Sequence, residues 1–317
     1  MNSRIRNWVR VVQSRSRFLS LSKPAGRILH LSIAAFLTLA CIAAVLFQSI
    51  QVASTLPALK VQPSSTEVAQ SNANREIDFS RHFRDLNVEG SILIQDLKNN
   101  RTYQHNPNRN STAFLPSSTF KILNSLISLE TGVISDEAAV LTWDGIQRKV
   151  PAWNRDLNMR EAIKLSAIWF YQVLARRVGY EQMQKWVAQL GYGNRRIGGK
   201  DDIDKFWLEG ELRITPQEQI QFLRRLYNND LPFSERSFSL VKDIMIMEKT
   251  PDYTIRGKTG WVGFADDVMP KIGWYVGYLE KGENTYFFAT NIDIRSEKDP
   301  AARLELTRRC FKDLAVL

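Results

Sequence analysis

The sequence predicts an α+β fold: a central antiparallel sheet drawn from the N- and C-terminal segments of the domain, flanked by helices, with a mostly helical subdomain inserted between them. Three patterns predict it. Residues 90–97 hold Ile92, Leu93, Ile94 and Leu97, a short apolar run of the kind carried by a largely buried strand. Residues 271–279 and 285–294 are rich in aromatic and β-branched side chains on either side of Glu280-Lys281-Gly282-Glu283, which reads as a β-hairpin. Residues 134–230, between these, repeat apolar positions at a helical period. Strands at both ends of a helical middle are the mark of an α+β domain. No internal repeat interrupts the pattern.

Before this domain the chain changes character three times. Residues 1–28 carry Arg4, Arg6, Arg10, Arg15, Arg17, Lys23 and Arg27 with no acid, so most of the net charge of +10 sits in a basic leader. Residues 28–59 hold no charged side chain, and residues 31–47 are almost continuously apolar. That length fits a membrane anchor in residues 29–54, or a long signal peptide cut after a small residue such as Ser54. Basic residues ahead of it and none just after keep the N-terminus in the cytoplasm and export the rest. Residues 55–75, rich in Ser, Pro, Gln, Asn and Thr, read as a flexible linker, and the domain itself as residues 76–317. That domain is nearly neutral, which removes the electrostatic footprint a nucleic-acid partner needs. Cys41 and Cys310 cannot frame a disulfide scaffold and lack ligand spacing, and with His30, His82 and His105 as the only histidines no metal site is expected. His82 and His105, in polar contexts, read as surface residues.

Along the domain, the strand at 90–97 is its first expected element, and Lys98-Asn99-Asn100-Arg101 turns it to a partner at 102–104. A helix then starts near Ser118, with Ile122, Leu123, Leu126, Ile127 and Leu129 marking its buried side. Residues 162–178 and 182–190 continue the helical period until Gly191-Tyr192-Gly193-Asn194 breaks it. Thr215-Pro216-Gln217-Glu218 is a capping box with proline at the first helical position, opening a helix to about residue 227. Further helices are expected near 234–247 and from about 300 to the end.

The Ser118 helix carries the chemistry. Ser118 and Lys121 stand three apart on one face, close enough for the amine to take the hydroxyl proton, a serine nucleophile with its own base. The same Ser-x-x-Lys spacing recurs at Ser20 and Lys23 and at Ser239 and Lys242, so spacing alone does not choose. Three more patterns follow in order: Ser166-Ala167-Ile168, Tyr192-Gly193-Asn194 and Lys258-Thr259-Gly260. Each alone has a plain structural reading, the last as a turn. Together, behind an export leader, they choose Ser118 and Lys121.

With these motifs the chain resembles the class D serine β-lactamases, the oxacillinases, within the superfamily of penicillin-binding proteins and β-lactam sensors. The likeness covers residues 80–315 and is strengthened by Phe206-Trp207-Leu208-Glu209-Gly210, Leu212-Arg213-Ile214-Thr215-Pro216 and Trp261. It implies a β-lactamase/transpeptidase-like fold, a small-molecule β-lactam substrate, and no cofactor beyond carbon dioxide bound to Lys121 as a carbamate. A lysine with reference pKa about 10.4 is a poor base when protonated, and an apolar pocket favours the neutral amine that reacts with carbon dioxide. Ser118 would be acylated, Trp207 would donate its indole N–H to the carbamate, Ser166 would relay a proton to the lactam nitrogen, and Lys258 would supply positive potential. Ile168, Thr259, Gly260, Trp261 and Arg303 would bind substrate: the N–H groups of Ser118 and Trp261 as oxyanion hole, Thr259 and Arg303 on the carboxylate, Ile168 as apolar wall. Ile168 stands where these enzymes usually have valine and sensors a polar residue, which favours an enzyme; Trp169, where many of the enzymes have proline, is closer to the sensors. The alternative is therefore a membrane-tethered β-lactam-sensing or penicillin-binding protein that is acylated but turns over slowly. Trp207 argues against a transpeptidase, which must exclude water. Substrate spectrum and oligomeric state rest on loop geometry that these patterns do not fix.

Overall fold

The computed structural model describes residues 77–264, 269–296 and 298–317. The leader, the 29–54 segment, the linker, Ser20, Lys23 and Cys41 lie outside them. Among the described residues no helix is long and apolar enough to cross a membrane.

Six of the seven residues of β1 (Gly90–Asp96) are buried, which only a strand covered on both faces can satisfy. It pairs on one side with β2 (Arg101–His105), which follows the expected turn, and on the other with a strand from the far end of the chain. The sheet has the order β2-β1-β8-β7-β6-β5, all antiparallel, where β5 is Ile246–Lys249, β6 Thr254–Trp261, β7 Ile272–Lys281 and β8 Asn284–Asp293. Joining β1 to β8 closes the N-terminal hairpin onto the C-terminal strands, as the sequence predicts. Between them β3 (Val140–Leu141) and β4 (Leu157–Asn158) form a minimal second sheet.

Each face of the large sheet has its own cover. On one, α1 (Ser80–Asp85) and the C-terminal helix α9 (Asp299–Asp313) bury Phe83, Leu306 and Phe311 against Ile92, Ile94 and Phe288. The helical layer covers the other. It contains α2 (Pro107–Asn110), α3 (Lys121–Glu130), α4 (Met159–Leu165), α5 (Ile168–Val178), α6 (Tyr180–Leu190), α7 (Pro216–Tyr227) and α8 (Glu235–Ile244). The α7 capping box is present with both bonds, Glu218 N–H to Thr215 Oγ1 at 3.0 Å and Thr215 N–H to Glu218 Oε2 at 2.8 Å.

The structure corrects several expectations. Helix α1 precedes β1; six residues are too short for a period to declare itself. The single helix expected over 162–178 is broken, because Ser166 takes a left-handed conformation with φ +57° and caps α4 before α5 begins. The helix expected to reach residue 247 ends at Ile244, and the chain turns into β5, an edge strand with a bulge. Lys258-Thr259-Gly260 is strand, inside β6, rather than turn. His82 is buried, not exposed, with Nε2 2.7 Å from the Asp313 carboxylate. His105 is half-buried and stacked on Phe83.

Candidate active site

Pro116 leads into one turn of 3-10 helix, Ser117–Phe120, that continues directly into α3. Side chains three apart eclipse in such a turn, so Lys121 rises over Ser118 with Nζ 2.8 Å from Oγ. Ser117 has φ +47°, a conformation that costs a non-glycine residue roughly 1–3 kcal/mol. Two bonds hold it there: its N–H donates to the Trp207 carbonyl at 2.9 Å and its hydroxyl to the Trp261 carbonyl at 2.8 Å. Ser118 keeps 7% exposure while Lys121 has none, so the hydroxyl is reachable and the amine is not.

Burial, and second the nearby Lys258, hold the Lys121 amine well below the ordinary lysine range. Lys258 enters from β6, 3.1 Å from Ser166 Oγ and donating to the Thr259 carbonyl at 3.0 Å. Burial first and Arg303 second push it down to about 7. Arg303 reaches across from α9, one guanidinium nitrogen donating to the Gly260 carbonyl at 2.6 Å, while its Nε has no partner. Burial pushes this guanidinium down to about 10.

Strand β6 also aims a backbone donor. Val262 N–H donates to Ile272 across the β7 ladder, whereas Gly257 N–H donates away from it, to Met245. N–H groups alternate along an antiparallel strand, so Trp261, like Gly257, turns its N–H and carbonyl away from β7. Its carbonyl takes the Ser117 hydroxyl, and its N–H therefore faces the same turn as Ser118.

Seven of the ten sequence-predicted residues, Ser118, Ser166, Ile168, Thr259, Gly260, Trp261 and Arg303, line one cavity of about 180 Å3. Lys121, Lys258 and Trp207 do not line it; each is buried, Lys121 bonded to Ser118 and Lys258 to Ser166. Trp207 stacks on Phe120 with ring centroids 5.3 Å apart, and its indole Nε1 has no hydrogen-bond partner. A buried unpaired donor costs about 1–3 kcal/mol. An anionic group on Lys121 is chemically suited to this site, which offers a neutral-leaning amine and a donor in want of an acceptor. A larger cleft of about 440 Å3, beside Arg84, His105 and Arg295, contains none of the predicted residues. Among the described residues no group of three or more His, Cys, Asp or Glu could hold a metal ion.

Sequence reasoning missed Ser117, Val150, Trp153, Leu165 and Phe264, which complete the cavity. Trp153 sits in a 3-10 turn after Pro151, where no periodicity marks a functional residue. It also missed Tyr171, whose ring lies 5.4 Å from the Lys121 amine. Tyr192-Gly193-Asn194, in contrast, does not reach the cavity. Tyr192 packs edge-on against Phe120 and Phe222, and Gly193, at φ +54°, lies where a Cβ would come 2.1 Å from the Arg213 carbonyl.

A strand and a helical turn clamping a buried serine–lysine pair define a penicillin-recognising serine enzyme, and the model of the penicillin binding protein transpeptidase domain matches residues 88–314. The chain is 41% identical over 254 residues to β-lactamase OXA-5 of Pseudomonas aeruginosa, covering 80% of this chain and 94% of that protein. It is 41% identical to OXA-48 of Klebsiella pneumoniae over 75% and 88% of the two chains. Among solved structures, the class D β-lactamase YbXI from Nostoc is 58% identical, with TM-score 0.74 over 76% of this chain and all of that one. FUS-1 (OXA-85) from Fusobacterium nucleatum follows at 40% identity and TM-score 0.72 over 75% and 98%. This chain belongs to the class D serine β-lactamases.

Proposed function

We propose that this enzyme hydrolyses β-lactams through a covalent acyl intermediate on Ser118, with Lys121 as the seat of the general base. The observation that carries the reading is the fully buried Lys121 amine, 2.8 Å from Ser118 Oγ and pushed towards neutrality. Arg303 and Thr259 hold the substrate carboxylate. The N–H groups of Ser118 and Trp261 donate to the carbonyl oxygen, each such donor contributing about 2.7–4 kcal/mol to the transition state. Ser118 Oγ gives up its proton on the Lys121 side and bonds to the lactam carbonyl carbon. The carbon–nitrogen bond breaks, and Ser166 passes a proton from Lys258 to the nitrogen, a role suited to a group titrating at about 7. Lys121 Nζ would hold carbon dioxide as a carbamate and the Trp207 indole N–H would be its donor; the group would supply a carboxylate base, for the serine proton and for the water that cleaves the ester. The reading extends to the rest of the chain: residues 29–54 anchor it to the membrane or direct its export, residues 55–75 tether it, and residues 76–317 act outside the cytoplasm of a bacterial cell.

The test is a pre-steady-state trace of a chromogenic β-lactam with the full chain in detergent, in degassed buffer and again with bicarbonate. Sustained turnover that rises with bicarbonate is expected. One stoichiometric burst followed by a plateau in both buffers overturns it in favour of an acyl-enzyme trap. For the N-terminal segment, sequencing of the exported protein that begins after residue 54 would remove the anchor and leave a signal peptide.

A further inference from the structure

Trp169, the residue after Ile168 on α5, is buried and lines neither the active-site cavity nor its neighbour. Its indole Nε1 donates to the Trp153 carbonyl at 2.8 Å, and the Arg148 guanidinium lies 5.7 Å over its ring. Arg148 and Trp153 stand near the two ends of one loop. Asn154 closes that loop on itself, accepting the Arg148 N–H at 2.8 Å and donating to the Arg148 carbonyl at 3.0 Å. Trp169 thus grips the loop at both ends.

What the loop carries gives this grip a consequence. Val150 and Trp153, with Ile168 and Phe264, line both the active-site cavity and an adjoining one of about 620 Å3, so they form the wall between the two. Trp153 is held further by its own indole N–H to the Leu165 carbonyl at 2.9 Å and by an edge contact with Phe264. A β-lactam has two flanks, the carboxylate-bearing ring and the acylamino substituent. With the carboxylate on Thr259 and Arg303, the substituent faces the remaining lining, which includes this wall.

We infer that Trp169 is a positioning residue for substrate selection: by anchoring the 148–154 loop it fixes the wall and sets how large an acyl substituent the active-site cavity admits. The inference rests on the proposal that β-lactams acylate Ser118. Trp169→Phe in the full chain keeps an aromatic ring and removes the donor. Two penicillins serve as probes, one with a free 6-amino group and one with a bulky aryl acyl side chain, each followed by steady-state rates and by mass of the labelled protein. The expected result is a KM for the bulky penicillin lowered about tenfold, the scale of one methylene in an apolar pocket. The free-amine penicillin keeps its KM and kcat within about twofold on the same scale. A bulky-to-small ratio of kcat/KM that is unchanged or falls overturns the inference, as does an equal change for both, which is what a merely structural residue would give. Asn154→Ala opens the same loop from its other side and should move the ratio in the same direction, which decides the matter if Trp169→Phe does not fold. If neither penicillin is hydrolysed by the wild-type chain or labels Ser118, the acyl-serine proposal falls and takes this inference with it. A labelled Ser118 with an unchanged ratio overturns the role of Trp169 alone.

Discussion

Ser118 with Lys121 and Ser239 with Lys242 have the same spacing, on helical turns of the same domain, in opposite environments. Lys242 is partly exposed and bound to the Tyr227 carbonyl and the Asn229 side chain, while Ser239 faces solvent. Burial lowers the Lys242 pKa, Glu235 and Glu280 act in the raising direction, and Arg256 adds a smaller lowering effect. Lys121 has no such company. Its side chain is wholly buried, its hydrogen bond goes to Ser118, and the charge acting on it is that of another lysine. A lysine bonded to two oxygens and facing opposite charges has its cation supported, whereas one buried against a hydroxyl and a like charge leans to the neutral amine that can act as a base.

The strongest way to break this contrast is to remove each pair in turn. Ser118→Ala or Lys121→Ala should lower kcat by about ten-thousand-fold or more, and the double variant should lose little beyond either single one, because the two act as a unit. Ser239→Ala and Lys242→Ala should leave kcat within about twofold, as surface changes away from the site usually do. Equal losses at both pairs in a steady-state assay would dissolve the distinction. Next in size, Ser166→Ala should reduce kcat about a hundred- to a thousand-fold, within the range of a lost proton-transfer group.

Trp207→Phe sharpens the contrast, since it keeps a ring on Phe120 but removes the unpaired donor. Turnover in degassed buffer should fall about tenfold, the low end for a hydrogen bond to a charged group, and recover with bicarbonate. A loss that bicarbonate does not repair would detach Trp207 from Lys121.

Lys258 supplies a pH test. With its pKa near about 7, it loses its charge above neutrality while Arg303, at about 10, keeps its own. KM should therefore rise a few-fold between about pH 7 and 9, and Lys258→Arg, which stays charged, should flatten that rise. A KM profile identical in wild type and variant would acquit Lys258. The stability sign follows from the same value. The folded chain binds fewer protons at this site than the unfolded one between about 7 and the ordinary 10.5, so burying Lys258 opposes folding most fully below about 7, and the penalty is relieved as pH rises. Smallest of all, Lys242→Ala should lower stability in chemical denaturation by about 1 kcal/mol, one net hydrogen bond, with kcat unchanged.

Much of this was legible in the chain itself. The β1 run, the 271–294 hairpin and the Thr215-Pro216-Gln217-Glu218 cap are local signals, and each became the element it announces. The breaks were harder. Residues 162–178 keep a helical period straight through Ser166, because the pattern records which side is apolar and not whether the backbone turns left-handed at one residue. Strand β6 and the bulged β5 were hidden for a similar reason: their pairing depends on partners across the sheet. Trp153 and Phe264 gave no signal because they sit on turns and loops.

By itself the sequence determined the α+β class, the export leader as an expectation, and the motifs that carry the resemblance, since these rest on side chains close together along the chain. Only the tertiary structure decided which of the two described Ser-x-x-Lys pairs is buried, brought Ser166 to Lys258 and Arg303 to Gly260 across 92 and 43 residues, and set the Trp261 carbonyl on the Ser117 hydroxyl. Burial and the approach of distant charges set these properties, and both depend on which parts of the chain fold together.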